Sequence, residues 1–155
     1  MLIFHGHGNS KTICGHNNEQ LIKSYYNHKL LKSKIVYCLA CSCAKHLGLL
    51  SVKEGTTAFI GYEDDFALGR DRRHDANPPK DKLGMTFLLP SKILVECLLK
   101  GNTVEKSVEK CKARMLMDIS EFETSDEPEH QDAVPFLIHN MVGLTFHGDR
   151  FAFIS

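Results

Sequence analysis

The chain has 155 residues, 43% of them hydrophobic and 25% charged, and its 19 basic residues balance 19 acidic ones. This length suits one domain with a hydrophobic core, and the neutral balance gives no reason to expect nucleic-acid binding. No apolar run approaches the roughly 20 residues of a transmembrane helix, and the N-terminus lacks the features of a secretory signal. We therefore predict a single cytoplasmic domain over residues 1–155, without membrane contact and with its six cysteines reduced.

The first 62 residues alternate between strand-like and helix-like segments. Three apolar runs predict strands, at residues 1–4, 35–40 and 56–62. One apolar face predicts a helix that begins at Asn17 or Asn18 and ends near Leu30, and a short helix is expected at 44–50. This alternation predicts an α/β fold with a mostly parallel sheet flanked by helices.

The second half of the chain is predicted to be mainly helical. Residues 67–84 are polar, contain Pro78-Pro79, and are expected to form a long loop or insertion. The remaining predicted elements are a helix at 86–99 interrupted near Pro90, a helix at 103–119, an acidic loop at 121–132, a helix at 135–141, and a closing hairpin with its turn at 147–149.

Reactive side chains follow two of the predicted strands. His5 and His7 end the first strand, and Cys41 and Cys43 follow the second. The carboxyl ends of parallel strands meet at one edge of a sheet, and a single crossover usually places its two strands side by side. An imidazole can therefore lie near a thiol, which is the arrangement that activates a cysteine nucleophile.

Two of these strand ends resemble motifs of a known family. Residues 4–8, Phe-His-Gly-His-Gly, resemble the His-Gly motif of the caspase-like (clan CD) cysteine peptidases, and residues 39–42, Leu-Ala-Cys-Ser, resemble their Ala-Cys motif. The nearest likeness is to the CHAT group, which includes the separase-like proteases. Further segments match that group in the same order, at residues 55–62, 101–105 and 146–149.

The resemblance implies a peptidase with a His–Cys pair. His7 takes the position of the general base, and Cys41 takes that of the nucleophile. The backbone N–H groups of Gly8 and Cys41 take the oxyanion-hole positions, where the absence of a side chain at glycine lets a substrate carbonyl approach. The expected substrate is a protein or peptide, and no metal or organic cofactor is needed.

Alternatives exist for the individual residues. Cys43 is the rival nucleophile, although Cys41 better fits the motif, and Cys38 and His5 are expected to be packed or hydrogen-bonded. Cys38, Cys41, Cys43 and His46 could instead ligate zinc, but the position of Cys38 inside a strand makes this the weaker interpretation.

Charged residues suggest a substrate preference. Glu63, Asp64 and Asp65 follow the third strand and either form a solvated turn or line an S1 pocket for a basic P1 residue, with Asp65 the best candidate. The basic run at residues 70–73 is either a soluble loop or a self-cleavage site.

The family pattern includes strands before the His-bearing strand, and this chain begins within that strand. The chain is therefore expected to be a fragment, to have its N-terminal half on another polypeptide, or to be a reduced variant. An upstream segment or a regulatory sensor is an expected partner. A catalytically silent, caspase-like scaffold that binds a partner protein is the alternative function.

Overall fold

A computed structural model describes residues 1–71 and 80–154 of the chain. The described residues form seven strands: β1 (Leu2–His5), β2 (His7–Asn9), β3 (Thr12–Cys14), β4 (Gln20–Lys23), β5 (Ile35–Leu39), β6 (Ala58–Tyr62) and β7 (Leu144–Gly148). They also form four α-helices: α1 (Leu49–Lys53), α2 (Lys82–Leu99), α3 (Val104–Glu123) and α4 (Pro128–Gly143). Among these helices, none is both long and apolar enough to cross a bilayer.

The fold is α/β, and its main sheet has four strands in the order β1-β5-β6-β7. β1 pairs with β5 and β5 with β6 in parallel, whereas β7 is antiparallel to β6. Every residue of β5 and β6 is buried, because layers cover both faces of the sheet. The predicted mostly parallel sheet flanked by helices is therefore confirmed.

The two faces of the main sheet have separate cores. On one face, Tyr37 and Ile60 pack among Leu94 of α2 and the side chains of α3. On the other face, Cys38 and Phe59 pack with the segments before β5 and after it. Cys38 is completely buried, in agreement with its predicted place in the core.

The segment between β1 and β5 differs from the predicted helix. It contains a small antiparallel sheet, β2-β3-β4, followed by a short 3₁₀ turn at His28–Leu31. Of the apolar residues that suggested a helical face, Ile22 alone is buried, while Leu21, Tyr25 and Tyr26 are exposed. Asn17, Asn18 and Tyr25 have positive φ angles, which a right-handed helix does not accommodate.

A π-helical turn at Ala44–Gly48 continues directly into α1, which confirms the short predicted helix after β5. The predicted break at Pro90 is wrong, because α2 runs without interruption from Lys82 and buries Pro90 with its apolar face. The predicted loop at 67–84 therefore ends too late, because residues 82–84 belong to α2. Of its other residues, 72–79 lie outside the described part of the chain, and these include Arg72 and Arg73 of the suggested self-cleavage site.

The last two helices also extend beyond their predicted bounds. α3 ends at Glu123 and α4 begins at Pro128, so most of the predicted acidic loop is helical. The predicted closing hairpin is wrong, because β7 pairs with the edge of β6 and no strand follows it within 149–154. Residues after β7 instead contact the start of α3, where the N–H of Val104 donates to the carbonyl of Ala152.

Candidate active site

The ends of β1 and β5 lie side by side, as the sequence predicted. His5 is in register with Leu39, and the next residue, Gly6, donates its N–H to the Leu39 carbonyl oxygen at 3.2 Å. The chain therefore leaves β1 at the same edge of the sheet at which it leaves β5. Both predicted motifs begin at this edge.

Strand β2 then crosses directly against the cysteine-bearing segment. A Cβ atom added to Gly8 would lie 3.1 Å from the Ala40 Cβ and 3.6 Å from the Cys41 carbonyl oxygen. Gly8 permits this approach because it has no side chain. The structure thus brings the His7–Gly8 and Ala40–Cys41 dipeptides together.

The two candidate nucleophiles have different environments. Cys41 is partly exposed, whereas Cys43 is completely buried and donates its thiol hydrogen to the Cys38 carbonyl oxygen at 3.5 Å. The contact with Cys43, together with burial, holds the pKa of the Cys38 thiol well above its usual range. A substrate can reach the partly exposed thiol of Cys41, whereas it cannot reach the buried thiol of Cys43.

The two histidines also differ. His7 is exposed on β2, in register with Cys14 of β3, whose thiol is partly exposed. Burial lowers the pKa of His5, and its ring meets the ring of Tyr37 edge-on at a centroid distance of 6.0 Å. Both histidines are exposed, so the prediction that His5 is packed or hydrogen-bonded holds only for this one ring contact. Within the described residues, neither the His7 ring nor the Cys41 thiol makes a hydrogen bond.

The three acidic residues after β6 lie at the edge that carries Cys41. Asp65 accepts a hydrogen bond from the Ser42 hydroxyl at 2.7 Å, and the Asp64 carbonyl accepts one from the Ser42 N–H at 3.0 Å. Glu63, Asp64 and Asp65 are all exposed. In the described part of the chain, the carboxylates of Glu63 and Asp64 have no hydrogen-bonding or ion-pair partner, so both can meet a cation.

Several residues that hold this edge together were not predicted. Asn140 of α4 donates its amide N–H to the Ala67 carbonyl at 2.7 Å and accepts the Ala67 N–H at 2.8 Å. His139 of the same helix donates from Nε2 to the Asp65 carbonyl at 2.8 Å. In the sequence these partners are 73 and 74 residues apart, and no local pattern connects them.

A histidine of the last strand supports the turn after the cysteines. His147 of β7 donates from Nε2 to the Ala44 carbonyl oxygen at 3.0 Å. Ala44 opens the π-helical turn that follows Cys43. This contact joins β7 to the turn that follows Cys43.

The zinc interpretation does not fit this arrangement. Among the described residues, no three His, Cys, Asp or Glu side chains are placed to hold a metal ion together. Cys38 and Cys43 are inside the core, while Cys41 lies at the edge of the sheet. The cluster of cysteines therefore reflects one accessible thiol beside two packed ones.

Comparison of the chain with models of known families, with curated proteins and with solved structures finds no match.

Proposed function

We propose that the chain is a caspase-like cysteine peptidase in which Cys41 is the nucleophile and His7 the general base. The observation that carries this proposal is the approach of β2 to the cysteine-bearing segment, where Gly8 faces the Ala40 side chain and the Cys41 carbonyl. It supports the proposal because the backbone of residues 7–8 lies beside that of residues 40–41 at one edge of the parallel strands. Such an edge is where α/β proteins place their sites.

The reaction follows from the roles of these groups. The Cys41 thiolate attacks the scissile carbonyl carbon, and the N–H groups of Gly8 and Cys41 bind the oxyanion. The C–N bond then breaks, and the His7 imidazolium donates its proton to the departing amine. A water molecule, deprotonated by His7, hydrolyses the thioester and releases the acid product. This chemistry needs only side chains, backbone and water.

The carboxylates of Glu63 and Asp64 support a basic P1 preference. They are exposed and without partners in the described chain, and they lie beside the segment that carries Cys41. A lysine or arginine side chain of a substrate can pair with them, and a bidentate arginine contact is the stronger arrangement. Asp65 is a less available partner because the Ser42 hydroxyl already occupies one of its oxygens. The substrate is therefore a protein or peptide with a basic residue before the cleaved bond.

The six free cysteines support a reducing compartment, and so a cytoplasmic location. An upstream segment or a sensor partner remains part of the proposal, with the outer edge of β1 as its attachment point. Within the described residues, that edge has no paired strand. An unpaired edge of this kind accepts an added strand through main-chain hydrogen bonds.

The test is the reactivity of Cys41 toward iodoacetamide near neutral pH. Cys14 is the other partly exposed thiol, so the measurement is made in a Cys14→Ser background and the labelled site is mapped by peptide mass spectrometry. We expect rapid labelling of Cys41 that His7→Ala slows and that the matched control His5→Ala leaves nearly unchanged. Peptides with Arg or Lys at P1 should then be cleaved faster than peptides with Asp at P1, and Cys41→Ser should abolish cleavage.

A catalytically silent scaffold is the second candidate. It is favoured by the lack of a hydrogen bond between His7 and Cys41 among the described residues, and by a groove of about 570 Å³ between β1 and α2. Apolar side chains dominate this groove, including the exposed Ile3, Met85 and Leu88. A folded protein whose Cys41 does not react, with or without His7, would favour the scaffold and contradict the peptidase.

A further inference from the structure

Ser42, the residue that follows the candidate nucleophile, has an unusual backbone conformation. Its φ angle is +51°, in the left-handed region that residues with a Cβ rarely adopt. Such a conformation persists only where surrounding contacts impose it. The contacts at Ser42 therefore determine how the chain leaves Cys41.

Three hydrogen bonds hold Ser42 in place. Its hydroxyl donates to the Asp65 carboxylate at 2.7 Å, and its N–H donates to the Asp64 carbonyl at 3.0 Å. Its own carbonyl accepts the N–H of Lys45 at 3.1 Å. The hydroxyl–carboxylate bond is the strongest of the three, because its acceptor is charged. It is also the single one that a side-chain substitution removes without altering the main chain.

The acceptor loop is itself anchored to a helix. The Asp65 carbonyl accepts His139 Nε2 at 2.8 Å, and the N–H of Glu63 donates to the Gly143 carbonyl at 2.9 Å. Both of these partners belong to α4. Asp65 therefore links Ser42, the residue next to Cys41, to a loop that is itself anchored to α4.

We propose that Asp65 is a positioning residue for the Cys41 nucleophile. Through the Ser42 hydroxyl it holds residue 42 in the left-handed conformation, and this sets the direction of the Cys41 thiol and N–H. The proposal rests on the proposed function, since it needs Cys41 to be the reacting group. It also gives Asp65 a different role from the S1 carboxylate that the sequence suggested, because it concerns geometry rather than the charge of the substrate.

Asn and Ala substitutions separate the two roles of Asp65. Asp65→Asn keeps an oxygen that can accept the Ser42 hydroxyl, but it removes the negative charge. Asp65→Ala removes both. A positioning role therefore predicts that Asn keeps the Cys41 reactivity that Ala loses. Recognition of a basic P1 residue by charge instead predicts that neither substitution changes reactivity toward an uncharged probe.

The experiment measures the rate of Cys41 alkylation by iodoacetamide, an uncharged probe, in the Cys14→Ser protein. The rate is recorded between about pH 6 and pH 9, because the thiolate is the reactive form of a thiol. We expect Asp65→Ala to slow labelling about tenfold over this range, in keeping with the loss of a hydrogen bond to a charged group. Asp65→Asn should stay close to the parent. Asp126→Ala is the matched control, because it removes an exposed aspartate of the connection between α3 and α4, outside the proposed site.

Substitutions at Ser42 test the other end of the bond. Ser42→Ala loses the hydroxyl and keeps a Cβ, so it should be as slow as Asp65→Ala, and the double variant should be no slower than either single one. Ser42→Gly should recover part of the rate, because glycine adopts a positive φ without strain. Thermal unfolding of each variant, and hydrogen exchange at the residue 42 amide, establish that the labelled protein is folded and whether the segment has loosened.

The outcomes distinguish the two proposals. If Cys41 reacts in the parent and at the same rate in folded Asp65→Ala, the positioning role is wrong and the proposed function stands. If Asp65→Asn is as slow as Asp65→Ala toward this uncharged probe, the hydrogen bond to the Ser42 hydroxyl does not explain the effect, and the positioning role is again wrong. If Cys41 is inert in the parent, the proposed function fails, and the positioning role fails with it.

Discussion

Replacement of Gly8 by alanine should separate β2 from the cysteine-bearing segment. The added methyl would lie 2.9 Å from the Thr12 carbonyl oxygen and 3.1 Å from the Ala40 Cβ. Thr12 belongs to β3, which is hydrogen-bonded to β2, so its carbonyl cannot retreat without distorting the hairpin. The first distance is below what real Cβ contacts reach, and the second is tighter than most of them. The hairpin must therefore distort, and β2 must shift away from Ala40.

Two opposing effects determine how Gly8→Ala changes the free energy of unfolding. Inserting a methyl group into a closely packed site costs roughly 1–3 kcal/mol. Restricting the unfolded chain by replacing glycine offsets about 0.4–1 kcal/mol of that cost. The free energy of unfolding should therefore fall by about 1–2 kcal/mol, close to a tenfold change in the unfolding equilibrium. The reactivity of Cys41 should fall as well, because the shift displaces Gly8 from the segment that carries it.

Urea denaturation and the Cys41 labelling rate measure the two effects. Gly143→Ala is the matched control, because its added Cβ would meet no heavy atom closer than Tyr62 Cδ1 at 3.9 Å, and because alanine favours the helix in which it lies. We expect the control to be neutral or slightly stabilising and to label like the parent. If Gly8→Ala matched Gly143→Ala in both measurements, β2 would not lie against Cys41, and the geometry of the proposed site would be wrong.

Three further predictions concern groups around the site and the core. Asn140→Ala should lower the free energy of unfolding by about 2 kcal/mol, because it removes both hydrogen bonds to Ala67, and a urea midpoint equal to that of the parent would contradict this. Thr56→Val should leave stability unchanged or raise it by up to about 1 kcal/mol, since the Thr56 hydroxyl is buried without a partner among the described residues; a clear loss in thermal unfolding would show that the hydroxyl is bound. Burial raises the pKa of Cys111 from 9.0 to about 12, so the unfolded chain loses this proton at lower pH than the folded one. The contribution of this thiol to the free energy of unfolding is complete below pH 9 and is lost as pH rises toward 12. Over that interval, the free energy of unfolding from urea denaturation should fall less steeply with pH for Cys111→Ala than for the parent. Equal dependence on pH in the two proteins would refute this origin of the pKa shift.

The elements near the site were the most predictable part of the fold. β5 and β6 are apolar at nearly every position, and a strand covered on both faces leaves that pattern in the sequence. The helix predicted from Asn17 or Asn18 was wrong because that stretch contains the four-residue β4 and the 3₁₀ turn at His28–Leu31. So short a strand shows little alternation, and its hydrogen bonds depend on neighbours that a local pattern does not reveal.

The continuation of α2 through Pro90 has a similar explanation. A proline inside a helix removes one hydrogen bond and costs about 3 kcal/mol, so the sequence favoured a break. In the structure, Phe87, Leu94 and Leu98 are buried on the same helix, and this packing outweighs the local penalty. Tertiary contacts of this kind are not visible in the local sequence.

For the pair His7 and Cys41, the sequence by itself determined that a histidine and a cysteine follow strands joined by one crossover, because the apolar runs and the connection between them are local features. The tertiary structure alone decided that Cys41 is partly exposed while Cys43 is buried, since burial depends on the layers that pack over the sheet. It also decided that Asp65 contacts Ser42 rather than standing free for a substrate. That contact spans 23 residues of sequence and forms only when β6 takes its place beside β5.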